Sequence, residues 1–191
     1  MALHEVIMNV RPDLRMSKAA FLEWNAAEGD RCELVEGRVV MMPRPSRAHG
    51  LIVKNLTVLL HVRLDPKQWD VIAEFGLETG PETLRYPDVV VDRAGGGNKD
   101  YTATAPVLLA EVLSPSTAEI DLGDKSAEYL RIPSVLAYMV LSQDEPKAWV
   151  YLRADSHLQA PELGADAVIR VADLKLDLPM AEIYAGRKRG E

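Results

Sequence analysis

Residues 107–113 read Val107-Leu108-Leu109-Ala110-Glu111-Val112-Leu113. Except for one acid, every position in the run is apolar. That is the pattern of a strand covered on both faces, not of one that alternates with solvent. The rest of the chain must then supply flanking strands and the layers that cover them.

Downstream, a helix is expected over about Ala118 to Arg131, ended by Pro133. Leu136–Leu141 and Ala148–Leu152 read as a strand pair turned by Gln143-Asp144-Glu145-Pro146. A short strand near Ala167–Val171, a turn at Asp177-Leu178-Pro179 and a basic tail over 186–191 complete this side. Upstream, Tyr86 to Asp92 holds Val89-Val90-Val91, and Val71 to Leu77 alternates as one further strand. Ser46 is placed to cap a helix running to about Arg63, with Leu51, Ile52, Leu56, Leu59 and Leu60 at helical spacing. Cys32–Val35 and Arg38–Met41 flank Glu36-Gly37 as a hairpin. A short helix capped by Ser17 reaches about Ala27, and residues 1–15 read as an irregular lead. The order β-β-α-β-β-β-α-β-β predicts an α/β or α+β fold with a mixed sheet.

A length of 191 residues, 48% of them hydrophobic, suits a single domain over 1–191. The lone Cys32 excludes an intrachain disulfide and a cysteine-rich zinc site. No signal-peptide pattern opens the chain, and no uncharged apolar run approaches the ~18 residues that span a bilayer. A soluble cytoplasmic protein is expected, with no membrane partner. The net charge of -7 argues against coating nucleic acid through bulk positive charge. Yet Arg38 to Leu64 contains no acid and holds Arg38, Arg44, Arg47, Lys54 and Arg63, with His49 and His61. This window is either a solvated face or a landing strip for an anion such as phosphate.

Two acids lie in otherwise apolar strands: Asp88, after Pro87, and Glu111. A carboxylate there is costly unless paired, hydrogen-bonded or bound to a metal. If the two strands are neighbours, the carboxylates converge, and paired oxygens suit a hard cation such as Mg²⁺. Otherwise Asp88 caps a turn and Glu111 pairs with a base. Lys125, on the following helix with Tyr129 one turn on, either holds an attacking water beside the acids or forms a solvated pair with Asp121.

Glu33-Leu34-Val35-Glu36-Gly37, Pro45-Ser46 with His49, Tyr86-Pro87-Asp88-Val89, Glu111-Val112-Leu113-Ser114-Pro115-Ser116-Thr117, then Asp121, Lys125 and Tyr129 occur in that order. Over roughly residues 16–185 the chain resembles the Uma-type restriction-endonuclease-like family of the PD-(D/E)XK nuclease superfamily. The resemblance implies an αβββαβ core with an N-terminal hairpin and C-terminal strand additions. It implies Asp88 and Glu111 as catalytic acids holding Mg²⁺ or Mn²⁺ with the Val112 carbonyl, and Lys125 as the catalytic lysine. Leu113 stands where the motif lysine is expected, so Lys125 would serve from the next helix. Glu33, His49 and Tyr129 are secondary candidates: Glu33 as an extra acid or a hairpin anchor, His49 as a phosphate contact or a capping residue. The implied activity is metal-dependent endonucleolytic hydrolysis of DNA, with a homodimer possible. The competing reading is a non-catalytic nucleic-acid-binding or protein-interaction module on the same fold. No Gly-x-Ser-x-Gly elbow, P-loop or His-x-x-x-His pair offers another chemistry.

Overall fold

Glu36 and Gly37 both take positive φ, 50° and 77°. Two such residues form the tight turn whose twist matches that of its flanking strands. They join β2 (Cys32–Val35) to β3 (Arg38–Met41) in the expected register, Val35 opposite Arg38. The computed structural model describes residues 10–28, 31–113, 122–154 and 162–187. Val10–Arg15, expected to be irregular, is strand β1 and pairs antiparallel with β3. Helix α1 (Lys18–Glu28) begins at Ser17, whose hydroxyl accepts from the Ala20 N–H. It lays Phe21 on Cys32, Leu34, Val39 and Leu84 in a small separate core.

Helix α2 (Arg47–Arg63) has the expected bounds. The Ser46 hydroxyl accepts from the His49 N–H at 3.1 Å, and Ile52, Leu56 and Leu60 are fully buried. The segment 71–77 does not form one strand. β4 (Trp69–Ala73) ends at Glu74, which adopts φ 51°, and β5 (Leu77–Gly80) belongs to another sheet. Between them Gly76 lies against the backbone of Tyr101 so closely that a Cβ would sit 2.3 Å from its carbonyl oxygen. Thr83–Arg85 forms a further short strand, β6, and Val89–Arg93 forms β7.

β8 (Leu108–Leu113) is the buried strand that its sequence predicts. It lies between β7, antiparallel, and β9 (Ala137–Ser142), parallel. Its partners beyond are β10 (Ala148–Leu152) and β11 (Glu162–Leu163) on one side and β4 at the far edge, giving the order β11-β10-β9-β8-β7-β4. A second sheet runs β1-β3-β2-β6-β5. Of the helix expected over 118–131, Asp124–Leu130 is α3, and residues 118–121 lie outside the described residues. β12 (Val168–Val171) pairs with β13 (Leu176–Pro179), so Asp177-Leu178-Pro179 is strand rather than turn. Pro179 closes that strand, where a missing N–H costs no ladder bond. Helix α4 (Met180–Ile183) follows.

The two faces of β8 are covered by different layers. Leu108 and Ala110 pack with α2, β12, β13 and α4; Leu109 and Leu113 pack with Tyr129 of α3 and Tyr138 of β9. No helix among the described residues is long and apolar enough to cross a membrane.

Candidate active site

The register Val89↔Ala110, Val90↔Leu109, Val91↔Leu108, carried one step further, sets Asp88 across from Glu111. β7 starts only at Val89, while β8 runs on to Leu113. The Val112 N–H therefore meets no ladder partner, and the Asp88 carboxylate takes its place, accepting at Oδ2 from Val112 N at 2.7 Å. Within a strand one residue's N–H and C=O point to the same neighbour. The Val112 carbonyl thus faces the side where Asp88 stands.

His49 Nε2 lies 3.1 Å from the same Oδ2, a contact made because the α2 N-terminus is anchored at Ser46. The buried Glu111 accepts at Oε1 from Lys125 Nζ at 2.8 Å and from the Tyr129 hydroxyl at 2.9 Å. Lys125 and Tyr129 sit one turn apart on α3 and share the face turned to β8. Lys125 is buried, not on a solvated face; Asp121 lies outside the described residues.

Glu33 of β2 approaches from the other sheet, with Oε1 3.4 Å from Lys125 Nζ. Its Oε1 also accepts from the Tyr86 N–H, and its Oε2 accepts from Arg85 at 3.0 Å. Glu33 thus ties the hairpin to Arg85 and Tyr86 and also lies beside Lys125. Arg85 continues to Glu128, donating from Nε at 3.0 Å and from the terminal nitrogen at 2.7 Å in a fork. Thr79 donates to the same Glu128 at 3.0 Å.

Burial pushes the Glu33 carboxyl up, but Lys125, Arg85 and the Tyr86 N–H outweigh it and hold the group below its ordinary value. Burial likewise acts on Glu128, and its bonds to Arg85 bring it below the ordinary value. Burial, reinforced by the Glu111 charge, lifts the Tyr129 hydroxyl well above its own, so it stays a proton donor to Glu111.

Four carboxylates, Asp88, Glu111, Glu33 and Glu128, share this region with two basic side chains, Arg85 and Lys125. Counted among the described residues, the acids of this region outnumber the two bases that bond them. No group of three or more His, Cys, Asp or Glu side chains arranged for a metal occurs among the described residues. The donors at hand are two carboxylates and a carbonyl, all oxygen. Such a set fits Mg²⁺, which binds through one or two carboxylates and keeps several waters.

The sequence reading missed Arg85 and Glu128. Arg85 lies in a three-residue strand, and its partner stands 43 positions away. The one local signal was Glu128, three residues after Lys125 and next to Tyr129 on a helix turned to the sheet.

A parallel pair β8–β9 within an otherwise antiparallel sheet, with one acid just before β7 and one inside β8, defines a restriction-endonuclease-like α+β fold. A crystal structure from Anabaena variabilis, titled "putative nuclease belonging to DUF820", shares this fold at a TM-score of 0.68 and 18% identity, covering 81% of this chain and 89% of that one. The chain belongs to the Uma2 family, described as "Putative restriction endonuclease", whose model matches residues 19–181. Two Synechocystis sp. relatives are similar in sequence. "Uncharacterized protein sll1609" is 27% identical over 67% of this chain and 75% of its own length. "Uncharacterized protein slr1290" is 26% identical over 75% of this chain and 77% of its own.

Proposed function

We propose that the protein is an endonuclease that hydrolyses phosphodiester bonds of DNA with Mg²⁺ or Mn²⁺. The observation that carries this reading is the meeting, at one end of β7 and β8, of the Asp88 carboxylate, the Val112 peptide, Glu111 and the Lys125 ammonium. Family membership supports the same reading.

Asp88, Glu111 and the Val112 carbonyl would hold the ion, which when bound polarises a phosphate oxygen and makes a water more acidic. Lys125 orients the attacking water or offsets charge that develops on the phosphate. Tyr129 fixes the Glu111 carboxylate by donating to it, and His49 does the same for Asp88. Leu113 occupies the usual lysine position, and Lys125 supplies the ammonium from α3 instead.

Asp88→Asn and Glu111→Gln keep side-chain size and remove a negative ligand. Each is expected to abolish metal-dependent strand cleavage and to weaken Mn²⁺ binding in a calorimetric titration. Lys125→Met is expected to lose cleavage while Mn²⁺ binding persists, since an ammonium does not ligate a cation. A parent protein that cleaves no linear, supercoiled or single-stranded DNA with either metal, and that takes up no Mn²⁺, overturns the proposal. That result would favour a binding module, whose acid variants bind nucleic acid as well as the parent or better.

A further inference from the structure

Among the described residues Arg85 makes no hydrogen bond to Asp88 or Glu111, yet both of its carboxylate partners lead to Lys125. One end of its guanidinium holds Glu33, whose other oxygen lies 3.4 Å from Lys125 Nζ. The opposite side forks onto Glu128, three residues along α3 from Lys125. The first contact fixes a carboxylate that faces the ammonium; the second fixes the helix that carries it.

The need for such a device follows from α3 itself. It spans seven residues, and its N-cap, Gly123, makes no side-chain capping bond. So short a helix has little stability of its own. A lysine stem adds rotatable bonds between backbone and charge. Arg85 comes from the other sheet, is 5% exposed and belongs to a strand already tied by backbone bonds to β2 and β5. It is a rigid base against which a short helix can be set.

We propose that Arg85 is a positioning residue for Lys125, acting through Glu33 on the ammonium and through Glu128 on α3. Its part in catalysis rests on the nuclease reading above; its part in holding Lys125 does not. The second sheet then takes part in the site without touching the acids that would hold the metal.

Arg85→Lys keeps the charge and removes the planar fork. In the full-length variant the rate at saturating DNA is expected to fall by about tenfold to a hundredfold, as a displaced catalytic group does, with the KM for DNA unchanged. The second readout does not depend on activity. In ¹⁵N spectra of lysine side chains, assigned with Lys125→Met, the parent is expected to show a Lys125 ammonium protected from exchange. Arg85→Lys should broaden or abolish that signal. Glu128→Gln leaves the Arg85–Glu33 pair intact and serves if Arg85→Lys does not fold; the same changes are expected, smaller in size. A signal lost from an inactive parent's variant supports the positioning role while overturning the nuclease reading. A parent without a protected ammonium, or a folded variant that retains both the signal and the parent's rate, overturns the inference.

Discussion

Glu33 stays ionised where burial alone would neutralise it, because Lys125, Arg85 and the Tyr86 N–H all favour the charged form. Glu128 is held likewise by Arg85. Both carboxyls lie below their ordinary value of 4.5 in the folded chain, so the unfolded chain binds their protons more readily. Their stabilisation is complete above that ordinary value and is lost as pH falls through the lower, folded one. Urea midpoints are therefore expected to drop on acidification below about pH 4.5, where unfolded carboxylates begin to titrate. Glu33→Gln is expected to flatten that slope while lowering the midpoint at neutral pH. Asp88 and Glu111 stood out in the sequence because a charge in an apolar run requires a partner, and Lys125 because it lies on the helix that follows, with Tyr129 one turn on. Arg85 did not, because its two partners come from distant elements and only the folded chain brings them together.

At the scale of elements, legibility followed local chemistry. The β2–β3 hairpin carries its own turn, Glu36-Gly37, and α2 carries its own cap, Ser46; both have the expected bounds. The run 71–77 kept neither the continuity nor the single face that its alternation suggested: Val71 packs into the core on the α2 side, whereas Phe75 and Leu77 pack into the opposite core with Tyr129. Glu74 turns the chain at positive φ, and Gly76 meets the Tyr101–Thr102 segment through a parallel bridge. That contact spans more than twenty residues and leaves no periodic trace. The strand over 177–179 was hidden in the same way, since only its pairing with β12 distinguishes it from a turn. Gly76→Ala is expected to destabilise the protein by about 1–3 kcal/mol, the usual cost of forced overpacking. Its Cβ would strike backbone, which has no rotamer to change. Thermal unfolding checks this, and an unchanged midpoint would show that the 101–102 segment yields freely.

For the whole molecule, charge is divided unevenly. The net charge is -7, but the acid-free window runs along β3 and α2, and α2 delivers His49 to Asp88. Arg44, Arg47 and Lys54 in that window are exposed. Duplex binding through this face is expected to weaken steadily as salt rises, because each neutralised phosphate releases counterion. Replacing Arg44 and Arg47 by Ala should make the dependence shallower, as titrations at several ionic strengths would show. Binding that ignores salt would count against phosphate contact on this face.

Cys32 is the chain's single thiol, and it stands beside Glu33 in the small core, 3% exposed. A buried thiol reacts only when its surroundings open, so its alkylation rate is a clock for local unfolding. The clock sits in the sheet that carries Glu33 and Arg85, away from the strands that bear the two acids. Labelling of the native protein is expected to be slow and to accelerate in Arg85→Lys. Mass spectrometry of timed samples would then time the breathing of one sheet by itself, with no probe introduced and no residue altered to make room for one.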